Sequence, residues 1–517
     1  WLIFNLKLYA MRRILLSILA MAIMATAWAA NGEKLIFKKS DNQLKVEKIT
    51  QTGFNFELSL AEAMVKAKEN KHGDFFMLHS KGFTKSFNIG DPNLPTKTKL
   101  IEVPFGAEVK IKVLSQKTEV ISLDERGFEG NLYPCQPSVA KCDDGKAQEF
   151  KFNKKTYARD AFYGNDIVVY EESGIIRGTR LGTIAINPFS YNPVTNELKV
   201  VTDLEVEITF EGADMAKTEE MQEIYGNSVF SSLLSKTMNH KVEGKPLNQN
   251  EPVKMIVIAD RMFETSLQPF VEWKNMSGVI TTVRYTDEPE VGNTTTSIQS
   301  FLQGLYDGAT AEDPAPSFLL LVGDIGQVPA FDGESGSHVS DLYYACYDGP
   351  SDMIPDINHG RFSAQTTDQL DAIIEKTLMY EKYEMADPSY LDQTLLVAGD
   401  DESWEDVYGN GAMWYVDNLY FNAEHGINNH LFLQDPPNGN AAVHDSIIAN
   451  VNAGIAWGNY TAHCKSSGWG TPSFTTSDVP SLTNDGKYGV LIGNCCLSNK
   501  FDDNECFGEA LLRTANK

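Results

Sequence analysis

Two apolar runs late in the chain each end in a side chain capable of covalent chemistry. Gly454-Ile455-Ala456-Trp457-Gly458-Asn459-Tyr460-Thr461-Ala462 leads into His463, and Tyr488-Gly489-Val490-Leu491-Ile492-Gly493-Asn494 leads into Cys495 and Cys496. If these runs are neighbouring strands, an imidazole and a thiol meet at one sheet edge. That pair is the minimum kit for thiol catalysis: the imidazole takes the thiol proton, the thiolate attacks a carbonyl, and the imidazolium protonates the leaving amine. A thiol at a strand end also stays reachable. Two plainer readings compete. A cysteine at such a position is commonly a small buried hydrophobe. His463, Cys464, Cys495 and Cys496 are also a nitrogen-and-sulfur donor set for zinc, although directly adjacent donors chelate less well than donors spaced two residues apart.

The elements that must position these residues follow from the apolar pattern. From Lys254 onward, short continuous apolar runs (255–259, 279–285, 317–323, 394–398, 430–433, 454–460, 488–493) alternate with amphipathic stretches (264–275, 294–306, 368–384, 412–422, 443–452, 506–513). Buried strands alternating with helices define an α/β domain with a mostly parallel sheet flanked by helices, and such sheets bind ligands beyond the carboxyl ends of their strands. Residues 31–212 read differently. Runs at 100–104, 109–113, 166–170 and 204–209 predict a β-rich domain, interrupted by one helix near 60–68. Residues 213–252 are polar and end in Lys245-Pro246, the pattern of a linker in which Lys241 and Lys245 would be open to a trypsin-like enzyme.

The 517 residues carry 44 basic and 70 acidic side chains, a net charge of −26, which excludes a nucleic-acid-binding role of the ordinary basic kind. Residues 250–517 hold 39 acids and 12 bases, whereas the first 249 residues are nearly neutral. Solubility, calcium binding or basic substrates would each suit the acidic half. Met11-Arg12-Arg13, an apolar stretch to Thr26 and Ala27-Trp28-Ala29 form the pattern of a secretory signal peptide over residues 11–29, with residues 1–10 read as upstream of the start. Export permits disulfides, and Cys135 and Cys142 are spaced to pair across a short loop, with an odd cysteine count leaving at least one thiol free. The end of the chain directly after an amphipathic stretch reads as truncation.

At the chemistry-bearing segments a resemblance enters. Asn459-Tyr460-Thr461-Ala462-His463 with Trp469-Gly470 resembles the histidine segment of the gingipain-type cysteine peptidases, and Asn494-Cys495-Cys496-Leu497-Ser498-Asn499-Lys500-Phe501 resembles their nucleophile segment. Upstream, Leu321-Val322-Gly323-Asp324 and Gly360-Arg361-Phe362 look like their catalytic domain, and Val103-Pro104-Phe105-Gly106 and Asn187-Pro188-Phe189-Ser190-Tyr191-Asn192-Pro193 look like their propeptide. The resemblance implies an upstream stretch and signal peptide over 1–29, a propeptide over 30–212, an activation region over 213–252, and a caspase-like catalytic domain in two subdomains, 253–390 and 391–517. It implies a secreted or surface cysteine endopeptidase made as a zymogen. Its substrate would be a protein or peptide, its own propeptide an intramolecular inhibitor, and outer-membrane secretion machinery a further partner. No cofactor would serve catalysis, and calcium would be structural, with ligands not assigned.

The family spacing of five residues from nucleophile to phenylalanine fits Cys496 and Phe501, and strand geometry points Cys495 and Cys496 to opposite faces. Cys496 is therefore the expected nucleophile, with Cys495 the runner-up and His463 the base. The family's acidic residue that assists the histidine corresponds to Asp400, at the start of an acidic run. The oxyanion hole would use the Cys464 and Cys496 amides. Two departures stand out. The family has glycine where Cys464 stands, and an oxidised Cys464 would switch the site off. The family's arginine- and lysine-specific members place an acid in the stretch corresponding to Gly409-Asn410-Gly411-Ala412, which has none, so a strong preference of that kind is not expected. The alternatives are a sortase-like, signal-cleaving relative and an inactive binding paralogue closed by Cys464.

Overall fold

The computed structural model describes residues 32–86, 88–137, 149–240, 252–334, 338–401, 408–434 and 441–515. The signal-peptide pattern, Cys142, Lys241 and Lys245 lie outside them. The chain divides into two compact units, with the boundary at residues 247 and 248.

The first unit is built from antiparallel sheets. Its spine is the pair of 15-residue strands Glu108–Ser122 and Glu197–Glu211, the latter also pairing Gly53–Ser59 and Phe189–Asn192. Alternate residues of Glu197–Glu211 turn inward, so Leu204, Val206 and Ile208 join Phe54, Phe56 and Ile184 in one core. The segment expected to form a helix near 60–68 is the strand Glu62–Asn70, hydrogen-bonded to Gly73–His79. Alternation decides it: Ala63 and Val65 face the core, which a 3.6-residue period cannot match.

The expected linker is also structured over much of its length. Helices Met215–Tyr225 and Ser228–Leu234 are capped by Asp214 and Asn227. Asn239 then clamps Glu102 from both sides, accepting from its N–H and donating to its carbonyl at 2.8 Å each. Residues 213–240 thus belong to the β-rich unit. Cys135 holds a free thiol directed at the Ser86 carbonyl, 3.0 Å away.

The second unit contains two four-stranded parallel sheets. The first runs Val279–Tyr285, Val253–Ala259, Phe318–Val322, Asn358–Phe362 in space; the second runs Asn428–Phe432, Gln393–Ala398, Trp457–Thr461, Val490–Asn494. In chain order both read second, first, third, fourth. Each therefore has a reversal between its first and third strands, and the crevice at the carboxyl end of that reversal is where such sheets take ligands. The central strands are almost wholly buried, as in Gln393–Ala398, because helices cover both faces. This is the α/β, caspase-like architecture expected, and the elements fall within a few residues of the pattern read from the sequence.

The two sheets are joined through the last helix, Phe507–Arg513. Its Arg513 guanidinium donates to Asp324 at 2.9 Å, to Glu509 at 2.6 Å and to the Ser363 hydroxyl at 3.0 Å. Asp324 and Ser363 follow strands of the first sheet, whereas Glu509 and Arg513 follow the last strand of the second. All four side chains are buried. The carboxylates need this cation, since an isolated buried charge is costly.

Candidate active site

The second sheet brings the two reactive segments together. Trp457–Thr461 and Val490–Asn494 are adjacent and parallel, with Tyr460 opposite Gly493 and Thr461 opposite Asn494. His463 and Cys495-Cys496 therefore leave the same edge of the sheet, within three residues of a matched pair. Close approach of the strands relies on small residues. A Cβ on Gly489 would lie 2.0 Å from the Ile455 carbonyl oxygen, and one on Gly458 would lie 2.4 Å from Leu491.

The histidine segment is held from below. Tyr460, fully buried and stacked on Trp469 with ring centroids 4.5 Å apart, donates its hydroxyl proton to the His463 carbonyl at 2.6 Å. Burial pushes the Tyr460 phenol far up, so it stays a donor. Cys464–Lys465 and Gly468–Trp469 form a short hairpin after the histidine. Gly470 N–H donates to the His463 carbonyl at 3.0 Å, which makes the next pair, Cys464 and Trp469, the non-hydrogen-bonded kind and turns the Cys464 amide away from its ladder partner.

The acid beside the histidine is Asp401, not Asp400. Asp401 Oδ2 lies 3.8 Å from His463 Nε2, with Asp401 mostly buried and His463 partly open to solvent. Asp400 is exposed and is placed by its backbone, its N–H donating to the Thr471 carbonyl at 3.0 Å. The reason is local. Gly399 passes so close to the histidine segment that a Cβ there would lie 2.5 Å from Ala462 Cβ, and its N–H donates to the Thr461 carbonyl. That contact fixes the chain direction as the strand ends, and the second residue of the acidic run is the one that reaches the imidazole. The run itself was the signal; its phase was not legible from the sequence.

The two cysteines follow the end of the strand Val490–Asn494 and differ in exposure. Cys496 is exposed, whereas Cys495 is half-buried and packs against the core of the second sheet. Cys495 Sγ and the Ser498 hydroxyl are hydrogen-bonded at 3.3 Å, and the bond Cys495 donates to Cys464, together with burial, pushes its thiol far up. Cys464 is buried, and its sulfur accepts the Leu497 N–H at 3.0 Å. The hydrogen bond from Cys495, with the Leu497 and Ser498 amides, holds the Cys464 thiol down at about 6, against the opposing effect of burial. The neighbour Cys464 meets is thus Cys495, and its side chain lies beneath the nucleophile turn instead of capping it. Cys346 and Cys506 are buried, and burial pushes both up to about 12.

The nucleophile turn is fastened at both ends. Phe507 N–H donates to the Ser466 carbonyl at 2.7 Å, tying the last helix to the histidine hairpin. Phe501 lies under the Arg361 guanidinium at 4.9 Å, and Arg361 is itself paired with Asp341 at 2.7 Å. Among the described residues, the group of three ligand-type side chains whose donor atoms converge within 4.8 Å is Asp348, Asp352 and Asp356, all oxygen donors and separate in sequence from the histidine and cysteines.

A β-rich leading unit is thus followed by a unit whose second parallel sheet brings a histidine and an exposed cysteine to one edge. The chain belongs to peptidase family C25: the profile described as Peptidase family C25 matches residues 248–517, and the C25 propeptide profile matches residues 50–238. Among curated relatives, Lys-gingipain W83 of Porphyromonas gingivalis is 35% identical over 510 residues, which is 98% of this chain and 29% of the relative. Gingipain R2 of the same species is 26% identical over 446 residues, 83% of this chain and 57% of the relative. A solved structure described as "Structural insight into zymogenic latency of gingipain K from Porphyromonas gingivalis" is 32% identical, covers 35% of this chain and 100% of its own, and superposes with a TM-score of 0.34. The chain thus spans under a third of the Lys-gingipain it matches.

Proposed function

We propose that this chain is the proform of a secreted cysteine endopeptidase that cleaves proteins or peptides. The observation that carries this is the parallel register that delivers His463 and an exposed Cys496 to one edge while Cys495 turns inward. His463 removes the Cys496 proton. The thiolate adds to the peptide carbonyl, and the resulting oxyanion accepts from the Cys464 and Cys496 amides. Collapse breaks the C–N bond, with the imidazolium protonating the amine and a thioester remaining on Cys496. Water, deprotonated by His463, then releases the acid and restores the thiol. Asp401 orients the imidazole and stabilises its cationic form. No organic cofactor enters this cycle.

Residues 50–238 match a propeptide profile, and a solved structure of relatives is described as a complex of pro- and mature domains. By that likeness the β-rich unit serves as the intramolecular inhibitor. The family's calcium has a fitting place in this chain: Asp348, Asp352 and Asp356 supply a hard, all-oxygen donor set. Asp348 reaches solvent at one edge of the group, and Asp356 is buried at the other. Calcium there would fix the loop and perform no step of the reaction.

The test is mild alkylation with labelled iodoacetamide followed by peptide mass spectrometry on the full-length protein after loss of its propeptide. Cys496 should label first, and that selectivity should vanish in His463→Ala. Preferential labelling of Cys495, or no thiol faster than an ordinary exposed cysteine, would defeat the assignment.

A further inference from the structure

The residue after the histidine is where this chain departs from the glycine of the family it resembles, and the structure gives its side chain a task. Cys464 is 2% exposed, on the first strand of the histidine hairpin, opposite a Trp469 that is locked against Tyr460. Its sulfur accepts the amide proton of Leu497, the residue directly after Cys496, at 3.0 Å. The same sulfur meets Cys495, directly before Cys496, and Cys495 Sγ is in turn hydrogen-bonded to the Ser498 hydroxyl at 3.3 Å. Ser498 is buried, and its carbonyl accepts the Gly508 N–H at 2.9 Å, which continues the anchoring into the last helix. One sulfur thus grips the nucleophile's neighbours on both sides while the nucleophile itself faces outward.

We infer that Cys464 is a positioning residue, whose buried sulfur fixes the turn that presents Cys496 and sets the direction of the adjoining amides. The inference rests on the reading of Cys496 as nucleophile. It explains how a side chain is accommodated where glycine would leave the underside of the turn open. A sulfur acceptor suits the place because its large radius spans from hairpin to turn, and its acidity strengthens the bond from the Leu497 amide.

The test compares Cys464→Ala, Cys464→Ser and Cys496→Ala in the full-length protein after propeptide removal, reading kcat, KM, the iodoacetamide rate at Cys496 and the melting temperature. Loss of the acceptor in Cys464→Ala should lower kcat and the labelling rate about tenfold, the size of one buried hydrogen bond, with KM within about twofold. Cys464→Ser keeps an acceptor for the Leu497 amide and should recover most of the loss. A kcat in Cys464→Ala equal to the parent's, or a serine variant no better than alanine at equal melting temperature, would overturn the inference. Activity surviving in Cys496→Ala would instead defeat the underlying assignment of the nucleophile.

Discussion

Asp400 and Asp401 are chemically identical neighbours, and only one of them meets the histidine. The sequence shows an acidic run after a buried strand, which is enough to locate a partner for His463 but not to phase it. The phase comes from Gly399, whose missing side chain lets the strand end lie against Ala462. Asp401→Asn should therefore lower kcat on the order of a hundredfold, a fraction of a general base's own contribution, and Asp400→Asn should leave it nearly unchanged; a kinetic comparison of the two variants checks this. Cys495 and Cys496 differ in burial, but they stand after the end of the strand Val490–Asn494, so the two-residue period read from the sequence does not extend to them and the turn decides which one faces out.

Cys464 also makes a prediction at this scale. Its folded thiol titrates near 6, held down by Cys495 and the Leu497 and Ser498 amides, against an ordinary value of 9.0. The folded state therefore prefers the thiolate, and the unfolded chain binds the extra proton between those values. Stability from this group is full above about pH 9 and is lost as pH falls through 6. The groups facing it are Cys495, Ser498 and the Tyr460 phenol, with His463 adjacent in sequence. Urea unfolding should show the parent gaining stability over Cys464→Ala as pH rises from 6 to 9; a constant difference would contradict the assignment.

Among the elements, the parallel strands were the most legible, since apolar runs such as 394–398 and 255–259 have no other way to be buried on both faces. The strand Glu62–Asn70 was not, because Ala63, Met64, Val65, Lys66 and Ala67 are also good helix formers and the alternation is decided by the sheet that receives them. The helices of 213–240 were missed for a related reason: they are short, polar, and stabilised by what they dock against. The pairing of histidine and nucleophile strands depends on Gly489, where an added Cβ would lie 2.0 and 2.6 Å from the carbonyl oxygens of Ile455 and Ala456. Backbone cannot yield as a side-chain tip can. Gly489→Ala should destabilise by about 1–3 kcal/mol and slow Cys496 alkylation, whereas Gly304→Ala, in the helix Thr295–Asp307 with nothing near its Cβ, should leave the labelling rate alone.

At the level of the molecule, the second unit contains two similar parallel sheets, of which one brings the histidine and the cysteines together. In the second sheet the switch-point crevice holds Asp401 and His463. In the first, the corresponding strand end supplies Asp324, and Arg513 fills the place with a buried counter-charge. Burial pushes the Glu509 carboxyl up even with Arg513 beside it, so the network tolerates little loss. Arg513→Met leaves two buried carboxylates without their cation and should cost on the order of 3–5 kcal/mol, read by denaturant unfolding. Chelation of calcium should lower the melting temperature of the parent and have little effect once Asp348 and Asp352 are both replaced by asparagine.

Asp324 and Arg513 are 189 residues apart along the chain. The contact that bolts the two sheets together therefore waits until the chain has been made through residue 513, because contacts of such long sequence separation form only when their distant end exists. Until then the first sheet has Asp324 and Ser363 facing water. Cys496 and Arg513 lie in one short stretch of sequence, so a growing chain acquires the thiol and the means to hold the sheets together almost at once. A nascent fragment that stops before residue 496 carries the histidine without the thiol it would be paired with, so on the proposed mechanism it needs no restraint.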